Sequence, residues 1–519
     1  MVSYKLYYFN IRARAEVIRQ IFAYTGTPYE DIRMPRESWA EKKSSFPFGT
    51  IPVLEVDGKQ IPQSLTIARY LARQHGLAGK GAFEEAWVDA IGDQFMDYHE
   101  EIRPYFVILG GFREHFSAEE KDKVKKEVGE VARDKFYPIT EKILKANKSG
   151  YLVGDGLTWV DLLISEHVAT LSEHQPTFLE KYPEALAHSA KIRAIPQIKE
   201  FFILVRAWPE SGDILCALSC SPGHRIPQHA EGPPFGHLLV KGVFILPSLR
   251  YTSTPLPQRR AHRIASGREE AVHLRETEDT SGSSTSPAAR APWFICVSKN
   301  HIGWSASFPF YFLQTEYRLH YFNLRGRAET IRQLFAYAGV PFEDIRVAGA
   351  DWKELKQTTP FGSMPVLEVD GRNIPQSYAI ARYLARKFDL AGKDEIEEAW
   401  VDALADQHAD YYSKVLPYFG IVAGRAQGDK ETVAKEVAHP ARDDFYKIIE
   451  KRLEENPAGF LVGDGPTWID FHFAEQVATT NDLDPDFLND FPNVQAHSEK
   501  IRDLPQIKQW IEERPQTAF

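Results

Sequence analysis

Cysteine is nearly missing from this 519-residue chain: it has three, Cys216, Cys220 and Cys296, all in its middle. The stretches on either side, residues 1–201 and 314–519, contain no thiol. That excludes a Cys-x-x-Cys redox pair or a cysteine nucleophile there, and thioredoxin or glutaredoxin chemistry with it, and it suits a reducing, cytoplasmic compartment. An excess of basic charge is also missing. The formal net charge is −10, from 62 Lys and Arg against 72 Asp and Glu, so there is no domain-wide positive field to neutralise nucleic-acid phosphates. No run approaches the ~20 apolar residues of a membrane span. The stretch HLLVKGVFIL is short and broken by Lys241, and Met1 to Asn10 have no apolar core of a secretory signal. These absences leave a small molecule as the expected partner, with no nucleic acid and no membrane.

What the chain does have is a long internal repeat. YKLYYFNIRARAEVIRQIFAYTGTPYEDIR from Tyr4 aligns with YRLHYFNLRGRAETIRQLFAYAGVPFEDIR from Tyr317, an offset of 313. YLVGDGLTWVD from Tyr151 meets FLVGDGPTWID from Phe460 at an offset of 309. A repeat of this length is a duplicated domain, not a solenoid. In each copy the first ~80 residues alternate strand and helix patterns. Tyr4 to Phe9 is β-rich, Ala13 to Thr25 has helical apolar spacing, and Val53 to Val56, Asp57-Gly58 and Lys59 to Ile61 predict a hairpin with a type I′ turn. The order is β-α-β-α-β-β-α, and from Phe83 to Phe201 only long amphipathic stretches follow, so each copy is α/β then all-helical. The expected domains are 1–80 and 81–201 in the first copy, a linker at 202–313, and 314–393 and 394–519 in the second. The linker scatters Pro, Ser and Arg, with blocks such as EDTSGSSTSP that cannot build a core, and its composition predicts disorder.

Tyr8, Arg14, Trp39, Lys43, the block PFGTIPVLEVDG and Pro62-Gln63-Ser64 resemble the glutathione-binding half of sigma-class glutathione transferases. The similarity extends through both copies and to the sigma-type glutathione-dependent prostaglandin D synthases, as in the terminal Trp510-Ile511-Glu512-Glu513-Arg514-Pro515-Gln516-Thr517. The resemblance implies a thioredoxin-like N-terminal domain, a helical C-terminal domain and a dimer. Here the dimer is either a homo-oligomer or a pairing of the two repeats within one chain.

The resemblance also implies roles. Tyr8 and Tyr321 are the thiol-activating hydroxyls, and Arg14 and Arg327 support them electrostatically, while Arg12 and Arg325 read as surface or interface groups. Glutathione is the co-substrate. It is expected to meet Trp39, Lys43, Ile51, the cis-prolines Pro52 and Pro365, Gln63, Ser64, Trp352, Lys356, Met364, Gln376 and Ser377. Ser64 and Ser377 are also good N-caps for the helices they open. Asp97 and Asp410 reach the ligand's amine across the interface. The aspartate that helps hold a divalent cation in the vertebrate prostaglandin D synthases is Met96 here and Ala409 in the second copy, so no metal is expected. Phe9, His99 and Tyr105, with Phe322, Tyr412 and Tyr418, are the candidates for the electrophile pockets. Thr158-x-x-Asp161 and Thr467-x-x-Asp470 read as capping boxes of structural meaning.

The first copy departs from the family twice. Ala13 stands where the second copy has Gly326, and FILVRAW replaces the tail that begins at Ile511, so the first copy would bind glutathione with an altered second-substrate site. The implied activity is conjugation of glutathione to apolar electrophiles, with hydroperoxide reduction or prostaglandin-H2 to D2 isomerisation as further activities of the class. The alternative is a non-catalytic glutathione-binding or crystallin-like structural protein. The retained Tyr8 and Tyr321 weigh against that alternative.

Phe308 to Gln314, FPFYFLQ, is what a pyrimidine-rich intron end terminating in CAG would encode if read in frame, which makes part of the linker translated non-coding sequence or a gene fusion. The expected outcome in a proteome that contains both repeats is that peptides from residues 210–300 are not found; detecting them would refute this origin.

Overall fold

The computed structural model describes residues 2–109, 116–206 and 315–517, with no side-chain account of 204–206. The linker expected at 202–313 therefore lies almost wholly outside the described residues.

In the first repeat the order is β1 (Tyr4–Phe9), α1 (Glu16–Thr25), β2 (Glu30–Met34), α2 (Trp39–Lys42), β3 (Val53–Val56), β4 (Lys59–Pro62) and α3 (Ser64–Gln74). The sheet order is β2-β1-β3-β4, with β1 parallel to β2 and antiparallel to β3. Tyr4, Leu6 and Tyr8 alternate into the core while Lys5 and Tyr7 face the other way, as the two-residue period of a strand requires. Asp57 and Gly58 take φ of 47° and 83°, the positive values expected of the type I′ hairpin. The helical half contains α4 (Gly81–Leu109), α5 (Ala118–Val124), α6 (Glu130–Ala146), α7 (Trp159–His174), α8 (Pro183–Arg193) and α9 (Pro196–Arg206).

The second repeat reproduces this plan. Its α/β half is β5 (Tyr317–Phe322), α10 (Glu329–Ala338), β6 (Glu343–Val347), α11 (Trp352–Thr358), β7 (Val366–Val369), β8 (Arg372–Pro375) and α12 (Ser377–Lys387). Its helices are α13 (Glu395–Val422), α14 (Lys430–Val433), α15 (His439–Glu455), α16 (Trp468–Leu483), α17 (Pro492–Arg502) and α18 (Pro505–Glu513). Both capping boxes form, and each aspartate does more than cap. Asp161 is fully buried and accepts from Thr158 N at 2.8 Å, Thr158 Oγ1 at 2.6 Å, Leu152 N at 2.8 Å and His188 Nε2 at 2.8 Å. Asp470 is matched in the same way by Thr467, Leu461 and His497.

The two repeats pack on one another through α3 and α4 of the first and α12 and α13 of the second. Arg69 meets Asp89, Asp93 and Asp406 at 3.2, 2.8 and 2.9 Å, and Arg382 meets Asp93, Asp402 and Asp406 at 3.0, 2.9 and 3.1 Å. Arg73 and Arg386 both bind Glu398, at 3.0 and 2.7 Å, and Glu85, at 2.7 and 3.3 Å. An aromatic exchange flanks this hub. Phe48 sits edge-on to Trp400 with centroids 5.8 Å apart, and Phe361 sits edge-on to Trp87 at 5.7 Å, so each repeat inserts one phenylalanine into the other.

Removing either buried arginine takes one of two counter-charges from Asp93 and Asp406, and the Arg69 or Arg382 partner from Asp89 or Asp402, which costs about 3–5 kcal/mol. Arg382→Met is therefore expected to lower unfolding free energy by about that amount in a urea titration, with Arg69→Met matching it.

Candidate functional site

β1 ends at a cavity of about 320 Å³ whose wall includes Tyr8, Phe9, Arg14, Lys43, Ile51, Pro52 and Gln63. The opposite wall comes from the second repeat, where α13 supplies Gln407, Asp410 and Lys414. Gln63 Nε2 donates to Gln407 Oε1 at 2.7 Å and lies 3.4 Å from Asp410 Oδ2. The mirror contacts run from Gln376 Nε2 to Gln94 Oε1 at 2.9 Å and to Asp97 Oδ2 at 3.2 Å. Asp97 and Asp410 therefore face the opposite repeat's Gln, and burial raises both carboxyls above the usual range. Such a group is ready for a cationic partner, because a nearby ammonium would offset the desolvation.

In the second repeat the Tyr321 hydroxyl accepts a hydrogen bond from the backbone N–H of Arg327 at 3.2 Å. Burial pushes this hydroxyl above its ordinary value of 10.0, and the Arg327 N–H and guanidinium only partly oppose that shift. It is protonated at neutral pH, with its hydrogen left to donate. Tyr8, in the first repeat, is 2% exposed. Arg14 lies 3.5 Å from Glu100, which also meets Arg103 at 3.3 Å. Burial would raise Glu100, but His99, Arg14 and Arg103 outweigh it and bring the carboxyl down to about 2.

The turn after β1 differs between the repeats. Gly326 has φ of 43°, and a Cβ placed there would lie 2.9 Å from the Tyr321 hydroxyl oxygen and 2.6 Å from Leu324. Ala13 carries its Cβ at φ of 38°, a left-handed conformation that costs an L-residue ~1–2 kcal/mol.

Several expected residues fall in other places. The N-caps of α3 and α12 are Gln63 and Gln376, each at φ of 70° with no side-chain cap, so Ser64 and Ser377 are the first helical residues and not caps. The glutamine side chains are instead committed across the interface. The peptide bonds Ile51–Pro52 and Met364–Pro365 are cis. Trp39 and Trp352 stand edge-on behind Phe9 and Phe322 at 5.5 and 5.4 Å; Lys356 is on α11, and Lys43 opens a 3₁₀ turn after α2. Tyr105 and Tyr418, expected at the electrophile pockets, are instead packed inside the helical bundles. Tyr105 stacks on Phe178, and Tyr418 stacks on Phe487 and donates to Asp484. Tyr412 stacks on His408 at 5.9 Å. Arg12 and Arg325 are not solvated charges: Arg12 pairs with Glu166 and Glu173, and Arg325 with Glu475 and Asp482.

The tails also diverge. Trp510 Nε1 and Arg514 Nη1 both donate to Glu329 Oε1 at 2.7 Å, tying the C-terminal segment to α10. Glu16, the counterpart of Glu329, has a buried Oε1 with no hydrogen-bond partner among the described residues. No cluster of three or more metal-ligating side chains occurs among the described residues, and no helix among them is long and apolar enough to cross a membrane.

Sequence comparison matches both repeats to one family. The profile of the glutathione S-transferase N-terminal domain matches residues 4–73 and 317–386, and that of the C-terminal domain matches 109–203 and 414–514. Probable glutathione S-transferase 5 of Caenorhabditis elegans is 50% identical over 205 residues, which are 39% of this chain and 99% of that protein. The chain belongs to the glutathione S-transferase family. Two tandem copies of the transferase unit make it a transferase enzyme whose family uses glutathione as substrate. The hematopoietic prostaglandin D synthase of Gallus gallus is 41% identical over 39% of this chain and 98% of its own length. The crystal structure of the glutathione S-transferase from Ascaris lumbricoides is 46% identical, with a TM-score of 0.39, covering 39% of this chain and all of its own.

Sequence reasoning missed Gln94, Gln407, Lys414 and Glu100. Gln94 and Gln407 precede Asp97 and Asp410 by three residues, so helical spacing puts each Gln on the same face as its Asp, and that signal was available. Glu100, three residues after Asp97, and Lys414, four after Asp410, carried the same helical spacing.

With the opposite tyrosine replaced by Phe to isolate each repeat, Gly326→Ala is expected to lower the second repeat's turnover by roughly tenfold, the rate equivalent of ~1.4 kcal/mol of displacement or strain. Ala13→Gly should raise the first repeat's turnover by a similar factor.

Proposed function

We propose that each repeat of this transferase activates glutathione with a tyrosine hydroxyl, Tyr8 in one and Tyr321 in the other. The activated thiol is conjugated to apolar electrophiles. A free thiol with a pKa of ~8.5 is only a few per cent thiolate at neutral pH. A hydroxyl donor that lowers this value by about two units supplies about 2.7 kcal/mol and makes the thiolate the major species. The observation that carries the reading is the Tyr321 hydroxyl, buried, protonated, and fixed by the Arg327 N–H so that its own hydrogen points elsewhere. The thiol proton leaves to solvent. The sulfur lone pair then forms the bond to the electrophilic carbon, and either a leaving group departs or a π pair shifts onto the acceptor.

The rest of the cavity fits the remainder of glutathione. The helix N-termini behind Gln63 and Gln376 suit the γ-glutamyl carboxylate, because first-turn N–H groups and the helix dipole favour an anion. Asp410 and Asp97 take the ammonium, each from the opposite repeat. Lys43 and Lys356 suit the glycine carboxylate. On this reading the two repeats complete each other's sites within one chain, and hydroperoxide reduction and prostaglandin isomerisation are further reactions open to the same thiolate.

The test is conjugation of a generic aromatic electrophile by the intact chain, Tyr8→Phe, Tyr321→Phe and the double variant. Each single variant is expected to keep the other repeat's turnover, and the double variant to lose about 100-fold or more, the effect of deleting one donor to a developing anion. The rising limb of kcat/KM against pH should move to higher pH in the double variant, because the bound thiol loses the donor that stabilised its anion. Unchanged turnover in the double variant would overturn the tyrosine mechanism.

A further inference from the structure

The turn that follows the first strand of each repeat is held from behind by one buried arginine. In the second repeat Arg332 Nη1 donates to the carbonyls of Leu324 at 2.9 Å and Arg325 at 3.4 Å, directly before Gly326 and the Arg327 N–H that meets the Tyr321 hydroxyl. The Arg332 guanidinium also lies 5.9 Å from the centre of the Tyr321 ring. Asp344 on β6 and Glu329, the first residue of α10, hold Arg332 in turn, both at 3.1 Å. Glu329 is fully buried, and its other oxygen accepts from Trp510 on α18 and from Arg514 at the end of α18, each at 2.7 Å. Burial would raise this carboxyl, but Arg514, then Arg332 and the Trp510 N–H, outweigh it and hold the group below its ordinary value. Beside it stands Glu475, which Arg325, Arg514 and Arg502 meet at 3.3, 3.3 and 3.4 Å.

The first repeat keeps the inner half of this chain of contacts and lacks the outer half. Arg19 Nη1 donates to Ile11 O at 2.7 Å and Arg12 O at 3.4 Å, and its guanidinium pairs with Asp31 and Glu16. The positions of Trp510 and Arg514 are Phe201 and Val205 there, and Glu16 Oε1 is the buried oxygen with no hydrogen-bond partner among the described residues. A buried carboxylate keeps its charge only while counter-charges offset its desolvation. With Arg514 gone, Glu329 is pushed toward its neutral form, and a neutral carboxyl gives Arg332 a weaker bond with which to hold the turn. We propose that Arg514 is a positioning residue for Tyr321: through Glu329 and Arg332 it fixes the turn whose Arg327 N–H orients the tyrosine hydroxyl. The inference rests on the reading that Tyr321 activates glutathione. It makes thiol activation in the second repeat depend on α18, and leaves the first repeat independent of it.

The experiment uses full-length chains carrying Tyr8→Phe, so that only the second repeat turns over. The parent is compared with Arg514→Met, with Arg514→Lys, and with Trp510→Phe, which removes one donor to the same oxygen and keeps an aromatic ring facing Phe342. Conjugation of a generic aromatic electrophile is followed against pH, and amide hydrogen exchange is followed in the peptide spanning residues 321–330. Arg514→Met is expected to move the rising limb of kcat/KM up by about one pH unit, which lowers the rate about tenfold on the acid side. KM for glutathione should stay within about twofold, because the variant leaves the binding contacts in place. Exchange in 321–330 should rise. Arg514→Lys should restore most of both, since its ammonium replaces the charge, and Trp510→Phe should give a smaller shift of the same sign. In a Tyr321→Phe chain, Arg514→Met should leave the first repeat's turnover unchanged. Variants that melt lower yet keep the parent's pH limb would overturn the proposal and leave Arg514 a packing residue; if Arg514→Met does not fold, Arg514→Lys and Trp510→Phe decide the same question. Hydrogen exchange separates this inference from the tyrosine mechanism because it needs no turnover. Faster exchange in Arg514→Met supports the coupling even if Tyr321 proves dispensable, and unchanged exchange refutes it whatever Tyr321 does.

Discussion

The buried arginine and carboxylate hub between the repeats is the interaction on which the rest of the structure depends. Arg69 and Arg382 are almost wholly excluded from solvent, and each is shared among carboxylates of both repeats. Guanidinium groups suit such a place because their rigid fork can engage several oxygens at once while losing little hydration. The same helices carry the hub and the cross-repeat contacts. Asp93 and Asp97 are one turn apart on α4, as Asp406 and Asp410 are on α13, so the charge that binds the repeats together also holds Asp410 in the wall of the first repeat's cavity and Asp97 against Gln376.

Within that fixed frame the two copies have diverged where the frame leaves room. The sheets, the hairpins and the buried Asp161 and Asp470 nodes are nearly identical, since each is held by several mutually dependent hydrogen bonds. The differences include Ala13 against Gly326, Glu100 against Ser413, and a buried Glu16 oxygen with no hydrogen-bond partner among the described residues against a Glu329 tied by Trp510 and Arg514. The two copies thus differ in these side chains while the hub and the glutamine contacts across the interface stay the same.

The sequence by itself determined the repeat, the strand and helix order of each copy, the positive-φ hairpin turn and the capping boxes. All of these are local patterns in which residues a few positions apart dictate backbone geometry. It also placed Tyr8 and Tyr321 at strand ends, through a motif resemblance. It could not foresee that Gln63 and Gln376 would displace the serines as N-caps, because what holds each glutamine is a partner more than 280 residues away. Nor could it tell that Tyr105 and Tyr418 turn into the bundle, since helical spacing gives a face but not what that face packs against. The tertiary structure alone decided the packing of the repeats on one another, the cavity wall that the second repeat gives to the first, and the Gln63 and Gln376 contacts across the interface. Each of these depends on side chains brought together across hundreds of residues by packing and desolvated charge, and no local pattern in the chain records such contacts.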